Sequence, residues 1–225
     1  DEEQTRRNQS LFKFWMEIMP SIILLGDSII DNKTYVQQQE YSVLEHLQNF
    51  SKNEFFQLAY DGDTTVDVLD RQLQSEEIAK SSHLVLSIGG NDLLQNLLFL
   101  HEGPIENINN ALADVHQQIF KSLEQRFETI VEKLSSHRAN LLLCTVYEGD
   151  LGRTDEFRDV LDSSKIIVSS FNDIVYKTAS KHNADVLELR HIFTSPEDYA
   201  NPIEPSHIGG EKLAQAITDW IQKTS

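Results

Sequence analysis

Ile22-Ile23-Leu24-Leu25 runs without a break into Gly26-Asp27-Ser28-Ile29. Four apolar residues in a row, rather than alternating with polar ones, predict a strand covered on both faces, as in a parallel sheet. The same kind of run recurs at Phe55–Ala59, Leu84–Ile88, Leu141–Val146 and Val186–Leu189. Between the runs the apolar period changes to that of helices. Ile108, Leu112, Val115 and Ile119, then Phe127, Ile130 and Leu134, predict one long amphipathic helix or two joined ones. Phe171, Ile174, Val175 and Ala179 predict another, and Leu213, Ile217, Trp220 and Ile221 the inner stripe of a C-terminal helix. Strand and helix alternating along the chain imply a doubly wound, three-layer α/β/α sandwich around a five-stranded parallel sheet.

The 225 residues suit one such domain. With no internal repeat or linker, residues 20–225 read as that domain. Residues 1–19, which lead into Leu11-Phe12-Lys13-Phe14-Trp15-Met16, read as an N-terminal extension, expected to be a helix on the outside of the sheet. The densest apolar segment, Leu11–Leu25, is interrupted by Lys13, Glu17 and Pro20, so no spanning helix is expected. A formal net charge of −17 argues against nucleic acid, whose binding needs clustered Lys and Arg. Cys144 is the lone cysteine, so no intrachain disulfide forms, and its apolar run predicts a small buried hydrophobe. A soluble chain is expected, either cytoplasmic or exported after removal of a leader, since the sequence starts at Asp1 without Met.

In an open α/β sheet, function gathers at the carboxyl ends of the strands. There the first three runs are followed by Gly26-Asp27-Ser28-Ile29, Tyr60-Asp61-Gly62-Asp63-Thr64-Thr65 and Gly89-Gly90-Asn91-Asp92, and Glu204-Pro205-Ser206-His207 precedes the last helix. Each has an ordinary structural explanation. Ser28 and Asn91 could cap helices, Gly62 could make a turn, and Glu204 and His207 could be a surface pair. Together they hold every part of an acyl-transfer site: nucleophile, base, orienting carboxylate and oxyanion donors. The eight histidines show no H-E-x-x-H spacing, so no metal is expected, and Gly89-Gly90 lacks the G-x-G-x-x-G pattern of a dinucleotide site. No cofactor is expected. Asp27 and Asp92 read as structural, bonding backbone near their own loops.

These blocks resemble, in order, those of the GDSL/SGNH hydrolases. Gly26-Asp27-Ser28-Ile29 is similar to the nucleophile block, with Ile for the usual Leu, and Gly62 to the glycine of the second block. Gly89-Gly90-Asn91-Asp92 is similar to G-x-N-D, and Glu204-x-x-His207 to D-x-x-H. The likeness spans residues 22 to 214. It implies a flavodoxin-like sheet of order 2-1-3-4-5 and a serine esterase or acylhydrolase of the lipase, lysophospholipase or thioesterase kind. It also implies Ser28 as nucleophile, His207 as general base and Glu204 as the acid orienting it. The oxyanion hole it implies comes from the backbone N–H groups of Ser28 and Gly62 and the Asn91 amide. Glu204 departs from the family Asp by one methylene, and Ile208 stands where Pro is common.

The partner implied is a small-molecule ester or thioester. Segments Leu93–Pro104 and Tyr147–Arg158 are expected to shape the acyl pocket. Leu93, Leu94, Leu97, Leu98, Phe99 and Leu100 point to a medium or long acyl chain rather than acetate. The alternatives are a carbohydrate O-acetylesterase and a catalytically silent binding protein on the same fold.

Overall fold

A computed structural model describes residues 21–97 and 107–225. The expected helix at 1–19, and Leu98, Phe99 and Leu100 of the acyl-pocket segment, lie outside the described residues. Five strands form one parallel sheet in the order β2-β1-β3-β4-β5: β1 Ser21–Gly26, β2 Glu54–Gln57, β3 His83–Ser87, β4 Asn140–Cys144 and β5 Asp185–Leu187. Ile22 pairs with both Phe55 and His83, Leu84 with Leu141, and Leu143 with Val186.

The three central strands match the apolar runs and are buried almost throughout. The outer two are shorter than their runs and only partly buried, because an edge strand has one neighbour and incomplete cover. Alternate residues face opposite layers. Ile23, Leu25, Leu84, Leu86 and Leu143 pack with Phe127, Ile130, Phe171 and Val175. Ile22, Leu24, Val85, Leu142 and Cys144 pack with Val43, Leu47, Leu213 and Ile217. Burial pushes the Cys144 thiol up to about 12, in keeping with an inert core residue.

The helices are α1 Val43–Phe50, α2 Thr65–Asp70, α3 Gly90–Leu97, α4 Ile108–Val115, α5 Lys121–Ser135, α6 Leu161–His182 and α7 His207–Thr224. The long period of residues 108–134 resolves into α4 and α5 joined through a π-helical turn at His116–Phe120. The inner stripe fails at its start, where Ile108 and Leu112 are exposed, and holds from Ile119 onward. Among the described residues, no helix is long and apolar enough to cross a membrane.

Candidate active site

β1 ends at Gly26 with φ +136°, where a Cβ would stand 1.8 Å from the Ser87 carbonyl oxygen. Only glycine lets the chain pass the end of β3 this closely. Beyond it the Asp27 carbonyl accepts from Ile30 N at 3.1 Å and Asp31 N at 2.9 Å, closing one helical turn. The Asp27 carboxyl accepts from Ile29 N at 3.1 Å. Asp27, not Ser28, therefore serves as the cap, and the Ser28 hydroxyl is left over for the cleft that it lines.

The second and third blocks are tied to the first by buried polar links. The Gln72 side chain accepts from Gly26 N at 2.9 Å and donates to Gly26 O at 2.7 Å and Asp63 Oδ2 at 2.6 Å. Asn91 Nδ2 donates to Asp63 O at 2.9 Å, joining the Gly62 loop to α3. Asp92 accepts from Thr65 N at 2.9 Å, Thr65 Oγ1 at 2.7 Å and Arg126 Nη2 at 3.1 Å, which gives it the structural role expected. Gln72 and Arg126 were missed by sequence reasoning. Their one sequence signal is a polar residue within an amphipathic segment, which is ordinary.

Gly62 sits at φ +86° with nothing within 4 Å of a Cβ placed there, so its N–H is open to approach. Among the described residues, neither the Ser28 nor the Gly62 N–H has an acceptor. Asn91 keeps its second N–H and lines the same cleft as Ser28. The cleft has a volume of about 560 Å³, including its open mouth. Its lining includes apolar Ile29, Leu93, Leu94, Val146, Leu151 and Val168 and polar Asp27, Ser28, Asn91, Glu148, Ser164 and Glu204.

Glu204 reaches that cleft because its loop is fastened at several points. Asn201 Oδ1 accepts from Ile203 N and Glu204 N, both at 2.9 Å. Ala200 N donates to Glu204 O at 2.9 Å, Tyr147 OH to Ile203 O at 2.6 Å, and Asn32 Nδ2 to Pro205 O at 3.2 Å. Ser206 then caps α7 by accepting from Gly209 N at 3.2 Å. Gly209 is required there, since a Cβ would stand 2.2 Å from the Asp198 carbonyl oxygen.

Glu204 is buried, and its Oε2 has no hydrogen-bond partner. Burial pushes its carboxyl up to about 7, the Ser28 hydroxyl pulling back as a hydrogen-bonding neighbour and Asp61 adding to the rise. Asp27 is held well above the usual carboxylate range, first by burial and then by the charges of Glu204 and Asp92, with the Ile29 N–H opposing. Its Oδ2 is likewise buried without a partner.

His207 is not brought to Ser28 or Glu204. As the first residue of α7 it turns toward α1. Its Nδ1 lies 3.0 Å from His46 Nε2 and accepts from Tyr41 N at 3.3 Å, and its ring stacks on His46 with centroids 4.8 Å apart. It lines a separate surface pocket with Tyr35, Glu40 and Ser206. Among the described residues, no hydrogen bond joins His207 to Ser28 or Glu204 in this structure. The physical reason is local. Ser206 starts the helix, and the next side chain leaves along the helix surface, while Glu204 is directed by the Asn201 turn. His46 was not expected from sequence. Its imidazole is lowered by burial and by the charge of His207.

A five-stranded parallel sheet thus carries Ser28 just past the end of its first strand, with Asn91 lining the same cleft. The sequence pattern of the GDSL-like lipase/acylhydrolase family matches residues 24–208, and the chain belongs to that family of enzymes acting on ester bonds. No curated protein matches. Among solved structures, phospholipase A1 from Streptomyces albidoflavus NA297 aligns over 89% of this chain and 99% of its own, with 16% identity and a TM-score of 0.66. A GDSL-like lipase from Bacteroides thetaiotaomicron VPI-5482 aligns over 91% and 89%, with 14% identity and a TM-score of 0.65. An acetylxylan esterase from Geobacillus stearothermophilus aligns over 91% and 96%, with 15% identity and a TM-score of 0.64. Its structures include catalytic mutants in which an aspartate, and a histidine three positions later, are each replaced by alanine. At these identities the likeness is one of fold.

Proposed function

We propose that Ser28 cleaves carboxylic esters or thioesters of a medium-length acyl chain through an acyl-enzyme. The observation that carries this reading is that Ser28 and Asn91 meet in one cleft together with the apolar side chains of Ile29, Leu93, Leu94, Val146, Leu151 and Val168. The serine oxygen adds to the carbonyl carbon, and the carbonyl oxygen takes the negative charge. Fixed N–H groups at Ser28, Gly62 and Asn91 stabilise that charge without reorganising. The wall from Ile29 to Val168 takes the acyl chain, and burial of each methylene there is worth about 0.8 kcal/mol.

Hydrolysis of p-nitrophenyl esters from acetate to decanoate tests the acyl assignment. Rates are expected to peak at a medium chain. A maximum at acetate would favour the second reading, a carbohydrate O-acetylesterase, the activity named for the acetylxylan esterase that shares the fold. Labelling by a fluorophosphonate probe tests the nucleophile, and a chain that neither labels nor hydrolyses any ester would be a binding protein. The spacing of Glu204 and His207 equals that of the two catalytic positions in the acetylxylan esterase, and of the two only Glu204 lines the cleft here.

A further inference from the structure

Resting on that reading of the cleft as an acyl site, we propose that Ser164 and Val168, one turn apart on α6, set the length of acyl chain that the protein accepts. Both line the cleft that holds Ser28, and both are buried, at 2% and 6% exposure. Four residues apart on a helix, they present one face to it. Leu93 from α3, Val146 after β4 and Leu151 beyond it are buried in the same lining, whereas Leu94, Glu148 and Ile203 are half-exposed. The buried members make the floor of the cleft and the half-exposed ones its mouth.

Asn172, the next residue on that face of α6, fixes the floor in place. Its side chain accepts from Val146 N and donates to Val146 O, both at 2.8 Å, and it is buried. The helix cannot slide past the end of β4 without leaving those polar groups unpaired. Val168 belongs to the same core cluster as Leu93 and Val146, and a close-packed core does not open for an extra methylene. Ser164 is the small residue of the face. Its Oγ donates to Leu161 O at 2.8 Å, so its proton is used within the helix. What the cleft meets at that position is a short side chain with room above it.

Side-chain size then translates into carbon count. Ser164→Leu adds, and Val168→Ala removes, about two methylenes' worth of side chain, and each substrate methylene that gains or loses apolar cover changes affinity about fourfold. A change at the floor weighs on long chains more than on short ones. Damage to the fold or to the serine loop slows every chain length alike, so the two are told apart by the shape of the profile.

The test measures kcat/KM on p-nitrophenyl esters from acetate to hexadecanoate for wild type, Ser164→Leu and Val168→Ala, with a thermal melt of each. Ser164→Leu is expected to move the best chain about two carbons shorter. The ratio of its kcat/KM on the wild-type optimum to that on acetate should fall about 15-fold, two methylenes at about fourfold each. Val168→Ala is expected to move the best chain about two carbons longer. If Ser164→Leu does not fold, Ser164→Thr retains a hydroxyl for the bond to Leu161 O and should shorten the optimum by about one carbon. Folded variants that keep the wild-type optimum, that shift it in the same direction, or that lose activity equally on every ester would overturn the assignment. A wild type that peaks at acetate, or that neither labels with fluorophosphonate nor cleaves any ester, overturns the reading of the cleft itself. That failure shows in wild type alone, before any variant is made.

Discussion

Glu204 and His207 stand two residues apart from touching in sequence, and the fold places them in different pockets. Glu204 shares an apolar-walled cleft with Ser28 and is almost fully buried. His207 shares a shallow pocket with Tyr35 and Glu40, and its ring nitrogen is taken up by α1. The difference teaches that loss of water, not position along the chain, sets how neighbouring groups ionise. Burial pushes the Glu204 carboxyl up to about 7, while beside His207 burial and the charge of that residue lower the His46 imidazole.

The comparison has meaning only if Ser28 is the reacting atom. Ser28→Ala is expected to cost ~10⁴-fold or more in kcat/KM and to abolish fluorophosphonate labelling. The protein should stay folded, because Asp27 rather than Ser28 caps the turn. Retained activity would make the contrast between the two pockets irrelevant to chemistry.

The far side of the cleft gives the next test. Asn91→Ala is expected to lower kcat by about 10²–10³ with much less change in KM, as for loss of one oxyanion donor. Part of Asn91 is spent on Asp63 O, so a thermal melt should be run beside the kinetics. A rise in KM with kcat held would make Asn91 a substrate-binding residue.

The smallest effect is on stability, and its sign separates the two pockets. Below pH 4.5 the Glu204 carboxyl is protonated folded and unfolded. Between 4.5 and about 7 the folded state keeps a proton that the unfolded state has lost, so stability falls as pH rises through that window. At about 1.4 kcal/mol per unit, the cost above pH 7 is on the order of 3 kcal/mol. Asp27 acts in the same direction. His46, whose imidazole is lowered, acts in the opposite one, adding stability as pH rises toward 6.5. Denaturant melts of wild type and Glu204→Gln across pH isolate the Glu204 share. An unchanged slope in Glu204→Gln would place the carboxyl in water and contradict its burial in the cleft.

Much of this was readable along the chain. Continuous apolar runs marked the three central strands, because a strand covered on both faces has no polar side. Gly26, Ser28, Gly62 and Asn91 ended or followed the first three runs, so parallel strands had to bring them to one edge of the sheet. The outer strands were read too long, since apolar sequence does not tell an edge from a centre.

Side-chain direction is a different kind of information. That Asp27 takes the capping bond and frees Ser28, and that Gln72 clasps Gly26 and Asp63, depends on contacts between residues up to 46 positions apart. The chain by itself placed Glu204 and His207 beside the Ser28 end of the sheet. Only the tertiary structure decided which of them lines the Ser28 cleft, because the Asn201 turn holds one there while the start of α7, set by Ser206 and packed on Asp198 through Gly209, brings the other to His46.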